Sequence, residues 1–255
     1  MSMSSTGLRF VCLGVGDAFS ARWYSSCLAI ESGGTWLLLD CPHPIRKILR
    51  EAGEACGERL DIDIVSAVLL THMHGDHVSG LEGFGFYSYF ALNRPAVVLT
   101  HDLVRETLFT HYFAIAEESL RYTSESAPPT ITAKLTDLFD VRTLSDTTTN
   151  GFGPFRIECR RTIHQVPTFA MKIRAGDRCL GVSADTAYDP GLIAWLSEAD
   201  LIIHETNLGP HTPYEKLAAL PEALRRKMRL THYTDDFDRA RSVIEPLEPG
   251  RTYVV

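Results

Sequence analysis

The stretch Thr71-His72-Met73-His74-Gly75-Asp76-His77-Val78-Ser79-Gly80 decides how the rest of the chain is read. Four side chains of metal-binding type fall within six residues, and His72 and His74 are separated by one non-ligand. Just upstream, Ile64-Val65-Ser66-Ala67-Val68-Leu69-Leu70 is apolar enough for a buried strand. Residues two apart on a strand end share a face, so His72 and His74 point the same way. Gly75 permits a sharp change of direction. Asp76 and His77 then sit on the turn into the next helix and aim at a second point nearby. That geometry suits two adjacent metal ions better than one. A solvated histidine-rich loop is the poorer account of so dense a cluster.

The 255 residues are 45% hydrophobic and 22% charged, which allows an ordinary packed core. No linker is evident, so one domain over 1–255 is expected, with residues 1–7 disordered. A net charge of −7 argues against long duplex nucleic acid, which wants a basic face. A small phosphodiester remains open, because bound metal ions supply local positive charge. The six cysteines form no C-x-x-C pair and read as buried reduced thiols. The start, Met1 to Gly7, lacks the basic and apolar regions of a signal peptide. No apolar run approaches the roughly 20 residues of a membrane span. A cytoplasmic chain without membrane contact is expected.

Around the central stretch, strands are expected at 8–13, 26–31 and 35–39, the last two joined at Gly33-Gly34. Gly14-Val15-Gly16 lacks the third glycine of a dinucleotide fingerprint. The spacing predicts a helix over 44–55, then one from about His77 through Phe90 whose aromatics are mostly core. A strand at 96–100 and a long helix at 103–120 follow. His101 and His111 lack metal-type neighbours and read as surface or packing histidines. Segments 123–129 and 145–154 read as loops, and 131–144 as one or two strands. Later strands fall at 155–160, 170–174, 178–183 and 228–231. Three of these segments lead into a candidate ligand at a strand-to-loop edge, namely His164, Asp185 and His232.

His72-Met73-His74-Gly75-Asp76-His77 resembles the H-x-H-x-D-H motif of the metallo-β-lactamase superfamily. The resemblance implies an α/β fold, the four-layer αββα sandwich. It also implies that His72, His74 and His164 bind one metal and Asp76, His77 and His232 another, with Asp185 bridging both. Asp40, after the strand 35–39, would hold a metal-binding histidine from behind. All-His/Asp ligation suits two divalent ions, Zn²⁺ foremost, and admits Mn²⁺ or Fe. With ions about 3.5–4 Å apart, a bridging water becomes hydroxide near neutral pH and is the expected nucleophile. Asp185 stands where antibiotic-hydrolysing lactamases use Cys. His74 stands where flavodiiron-type proteins prefer an acid. Both substitutions turn the expectation away from those relatives.

The substrate is read from His204-Glu205-Thr206-Asn207 and Gly209-Pro210-His211-Thr212. A leaving alkoxide needs a proton, and a histidine oriented by a carboxylate can deliver it. The two segments resemble the HEAT and HST motifs of the tRNase Z branch, with Thr206-Asn207 and Thr212-Pro213 as departures. By that resemblance Glu205 and His211 join Asp76 as catalytic residues. The branch's long tRNA-binding arm has no room here, since only residues 165–184 separate His164 from Asp185. Armless relatives include small phosphodiesterases. The expected function is hydrolysis of a small or cyclic nucleotide phosphodiester. A tRNase Z-type endonuclease, a lactonase or thioesterase-like metallohydrolase, and a non-catalytic di-iron sensor stay open. Relatives commonly dimerise, so a homodimer is admitted too.

Overall fold

A computed structural model describes residues 7–108 and 135–255. Two mixed sheets carry helices on their faces. The first sheet has seven strands. They are β1 (Arg9–Gly14), β2 (Cys27–Ser32), β3 (Thr35–Leu39), β4 (Val65–Leu69), β5 (Ala96–His101), β6 (Phe139–Leu144) and, beside β1, β13 (Thr252–Val254). The second has six: β7 (Asn150–Phe152), β8 (Phe155–Arg161), β9 (Phe169–Ala175), β10 (Arg178–Val182), β11 (Leu201–Glu205) and β12 (Met228–Thr231). Buried apolar side chains from both sheets form one core. The sandwich matches the expected fold class.

The strand directions decide where a site can form. β3, β4, β5 and β6 pair in parallel, and β1 runs the same way because both β1–β2 and β2–β3 are antiparallel. In the second sheet β10, β11 and β12 are parallel. β8 shares their direction through two antiparallel pairings with β9 between. The C-terminal ends of these strands therefore gather along one rim of each sheet. Loops that begin at Gly14, Leu39, Leu69, Arg161, Val182, Glu205 and Thr231 all start there.

Local chemistry explains most elements. Gly33 and Gly34 take φ of 57° and 79°, the two positive values that a tight β2–β3 hairpin needs. Helix α1 (Ile45–Cys56) buries Ile45, Ile48, Leu49 and Ala52 on one stripe and stops at Gly57. The helix expected from His77 to Phe90 is instead two, α2 (Gly75–Val78) and α3 (Leu81–Leu92). The chain after β3 wedges in between. Cys41 N–H donates to His77 O, Gly80 N–H donates to Cys41 O, and a Cβ at Gly80 would lie 2.4 Å from Pro42 O. Apolar residues run all round α3, so only one stripe can face the core. Phe84 is buried, Phe90 is 66% exposed, and Tyr87 lies under Arg46.

Of the expected helix 103–120, α4 (Asp102–Thr107) is described, while His111 and the loop 123–129 lie outside the described residues. A short α5 (Leu135–Leu138) precedes β6. The stretch read as a loop at 145–154 contains β7, because Asn150 to Phe152 pair with Ile157 to Phe155 as an edge strand. Behind β10, α6 (Pro190–Leu196) packs so closely that Leu196 and Ala199 sit against Gly181. Two short helices, α7 (Tyr214–Ala218) and α8 (Glu222–Arg225), lead to β12. All six cysteines are free. Among the described residues no helix is long and apolar enough to cross a membrane.

Candidate metal centre and catalytic cleft

All seven expected ligands meet at the shared rim. One ligand atom from each of His72, His74, His164 and Asp185 lies within 4.8 Å of the others, and so for Asp76, His77 and His232. His164 Nε2 is 3.1 Å from His74 Nδ1, and His232 Nε2 is 3.1 Å from Asp76 Oδ2. Asp185 faces both groups. Its Oδ1 is 3.4 Å from His77 Nε2, and its Oδ2 is 3.5 Å from His232 Nε2 and 3.7 Å from His72 Nε2.

These residues fit divalent ions on observations of this site alone. His72 Nε2 and His77 Nε2 are buried without a hydrogen-bond partner, a state that costs about 1–3 kcal/mol for each polar atom. A metal ion removes that cost, since a neutral imidazole nitrogen is a ligand. Burial draws the His72, His74 and His164 imidazoles below the ordinary histidine range, to about 4 for His164, so they stay neutral as ligands must. Burial alone would raise the Asp76 and Asp185 carboxyls. The facing histidines instead hold both well below the usual carboxylate range.

The backbone is forced into place here. Four non-glycine residues have positive φ among those described, and three of them, Asp40, Ala184 and His232, lie at this rim. Such conformations cost about 1–3 kcal/mol each and persist where the surroundings fix them. Asp40 explains its own case. It accepts from Thr71 N at 2.8 Å, from Thr71 Oγ1 at 2.9 and 3.0 Å, and from His77 Nδ1 at 2.8 Å. The Thr71 hydroxyl, its proton given to Asp40, accepts from His72 Nδ1 at 2.9 Å. One buried carboxylate thus orients two histidines, and both present Nε2 to the centre.

Glu205 and His211 also come together. His211 Nδ1 donates to Glu205 Oε1 at 3.0 Å and lies 4.0 Å from Asp185 Oδ2. Thr186 N–H donates to the same Glu205 oxygen at 2.8 Å. Burial pulls the His211 imidazole down, but the Glu205 hydrogen bond and the carboxylates beyond it raise it overall. With Nδ1–H held by Glu205, Nε2 is the free nitrogen of that ring.

A cleft of about 1040 Å³ opens over the centre, lined by His74, Asp76, Asp185, His211 and His232. Phe19, 93% exposed, and Leu208, 74% exposed, stand at its walls. The sequence reading gave no role to Thr71, although it adjoins His72. It also missed the clamp between the two walls, where Asn207 Nδ2 donates to Asp17 Oδ2 at 3.0 Å across 190 positions. No single-sequence signal marks a pair so far apart. His101 stacks on Phe169 at 3.9 Å and serves packing, as expected.

Fold and site together define a metal-dependent, phosphodiesterase-like hydrolase of the metallo-β-lactamase fold. Solved structures agree on the fold. The metallo-β-lactamase fold protein YhfI from Bacillus subtilis superposes with a TM-score of 0.73 at 18% identity, covering 98% of this chain and 100% of that one. Zn²⁺-bound PqqB from Methylobacterium extorquens gives 0.71 at 16%, covering 97% and 100%. The family model for anti-Pycsar protein Apyc1 matches residues 8–247, and the chain belongs to that family. The Apyc1 of Paenibacillus harenae is 31% identical over 255 residues, 95% of this chain and 98% of its own.

Proposed function

We propose that the chain hydrolyses the phosphodiester of a small nucleotide, cyclic forms included, with two divalent ions. His72, His74 and His164 hold one ion, Asp76, His77 and His232 the other, and Asp185 both. Zn²⁺ suits this nitrogen-rich set best, with Mn²⁺ or Fe admitted. When bound, the ions supply an activated water and neutralise charge on the phosphoryl oxygens.

The carrying observation is the His211–Glu205 pair beside Asp185. Glu205 holds Nδ1–H and favours the protonated ring, so Nε2–H can hand a proton to a departing alkoxide. A thioester's thiolate leaves without such a donor, and a metal sensor has no need of one. The cleft's charge supports a small substrate as well. Among the described residues its lining includes Asp17, Asp76, Asp185 and Asp235 and no lysine or arginine. Among the described residues no cationic side chain there grips a polyanion, whereas RNA binding relies on such side chains along the backbone. The anti-Pycsar activity for which the relatives are named is assigned to this chain on the same grounds.

The test pairs metal analysis with a substrate panel: bis(p-nitrophenyl) phosphate, 2′,3′- and 3′,5′-cyclic nucleotides, precursor tRNA, a lactone and a thioester. Metal-dependent hydrolysis of cyclic nucleotides is expected. Cleavage of precursor tRNA alone, of the lactone or thioester alone, or bound iron without hydrolysis, would each replace the reading with its rival.

A further inference from the structure

A small cavity of about 30 Å³ lies against the metal centre, with Asp185 and His232 among its walls. One water needs roughly 10–15 Å³ of such space, so the cavity has room for it. Its walls include Ser26, Asp40, Thr231, His232 and Glu205, with apolar side chains between. Most polar groups in these walls are already partnered. Ser26 Oγ donates to Gly16 O and lies 3.0 Å from Thr231 Oγ1, and Asp40 serves Thr71 and His77.

Three wall residues carry atoms with no partner: His77, whose Nε2 faces the metal centre, and His232 and Glu205, whose needs are complementary. His232 is 3% exposed and its Nδ1 is unpaired. Glu205 is 1% exposed and its Oε2 is unpaired. His232 directs Nε2 toward Asp76 and Asp185. With a metal ion on that Nε2, the ring proton sits on Nδ1, which is then a donor. Glu205 Oε1 is taken by Thr186 N–H and His211 Nδ1–H, which leaves Oε2 as an acceptor. A metal-binding histidine almost always donates its second N–H to a carboxylate, a carbonyl or a water.

We propose that one ordered water in this cavity accepts from His232 Nδ1–H and donates to Glu205 Oε2. Glu205 is then a positioning residue for two imidazoles, His211 directly and His232 through the water. The inference rests on the proposed role of His232 in holding a metal ion. It joins the proton donor to the metal centre through one carboxylate. Losing that carboxylate frees two ring orientations, whereas losing His211 frees none.

The test compares metal retention, read by chelator competition, in the metal-loaded wild type, His211→Ala, Glu205→Ala and the double variant. His211→Ala is expected to retain metal like the wild type. Glu205→Ala is expected to weaken retention of the ion held by His232 by about 10–100-fold, the usual cost of removing an outer partner, and equally in the His211→Ala background. Wild-type retention in Glu205→Ala overturns the inference while leaving the metal reading intact. A wild-type protein that binds no metal overturns that reading first. Should Glu205→Ala not fold, a high-resolution crystal structure of the wild-type holoenzyme decides. It is expected to show one water within hydrogen-bond distance of both atoms, and a dry cavity overturns the proposal.

Discussion

The two walls of the metal centre are built differently. The first comes from one sheet and one short stretch, His72 to His77, with Asp40 and Thr71 behind it. There the outer nitrogens of His72 and His77 both have partners at 2.8–2.9 Å. The second wall draws His164, Asp185, His211 and His232 from four separate loops of the other sheet. There His164 Nδ1 and His232 Nδ1 have no partner among the described residues. The first wall's outer nitrogens are held by buried hydrogen bonds, whereas two of the second wall's are left to what binds there. Preorganisation in a metal site can therefore be lopsided, with one half a template for the other.

Asp185 is the residue on which both walls converge, so its loss tests the comparison hardest. Asp185→Asn keeps the shape and removes the charge that faces His72, His77, His164 and His232. Metal content is expected to fall below one ion per chain, and activity to fall by more than the roughly 10–100-fold that an outer partner costs. Retention of two ions would show that Asp185 belongs to neither wall.

His211 probes the second wall's chemistry rather than its metal. His211→Ala is expected to slow hydrolysis of substrates with poor leaving groups by about 10²–10⁴-fold and to spare activated aryl diesters. Equal losses on both would remove the donor role. The pH profile carries a further sign. The raised His211 imidazole stays protonated above the ordinary value of about 6.5, and the donor is lost as pH rises through its own value. Glu205→Gln removes the leading raising contact, so the alkaline limb of kcat on poor leaving groups should move to lower pH. An unmoved limb assigns it to another group.

The same asymmetry governed what the sequence made legible. The first wall is local, so spacing alone marked His72, His74, Asp76 and His77 and gave His72 and His74 a shared face. The second wall is spread from 164 to 232. His164, Asp185 and His232 could be named because each follows a strand, and all those strands run the same way in the fold; His211 came from a motif resemblance. Strand direction itself is a tertiary fact that no single segment encodes. The break between α2 and α3 was illegible for a like reason, since it depends on the backbone of Cys41 and Pro42 entering from elsewhere. The clamp between Asp17 and Asn207 escaped on distance alone.

Smaller effects sharpen the contrast. Asp40→Asn keeps volume, but its amide can donate to His77 Nδ1, which forces the imidazole proton onto Nε2, the atom that faces the centre. A tautomer wrong for ligation follows, by the logic that governs an Asp-to-Asn change behind a catalytic histidine. Metal affinity should drop by about 10–100-fold with the fold retained, as read by chelator titration beside circular dichroism.

The mildest prediction converts part of the first wall into the second. Thr71→Val is nearly isosteric, yet it deletes the hydroxyl that joins His72 Nδ1 to Asp40. His72 then carries an unpaired outer nitrogen, like His164 and His232. Asp40 keeps its bonds from Thr71 N–H and His77, so the backbone frame survives. The cost is one buried unsatisfied donor, about 1–3 kcal/mol by thermal or denaturant unfolding. If the template argument holds, the metal-free variant loses that stability, and metal binding weakens by no more than the roughly 10–100-fold of an outer partner. A stability change near zero would mean that His72 is held by its packing rather than by Thr71, and that the first wall's hydrogen bonds matter less than its burial.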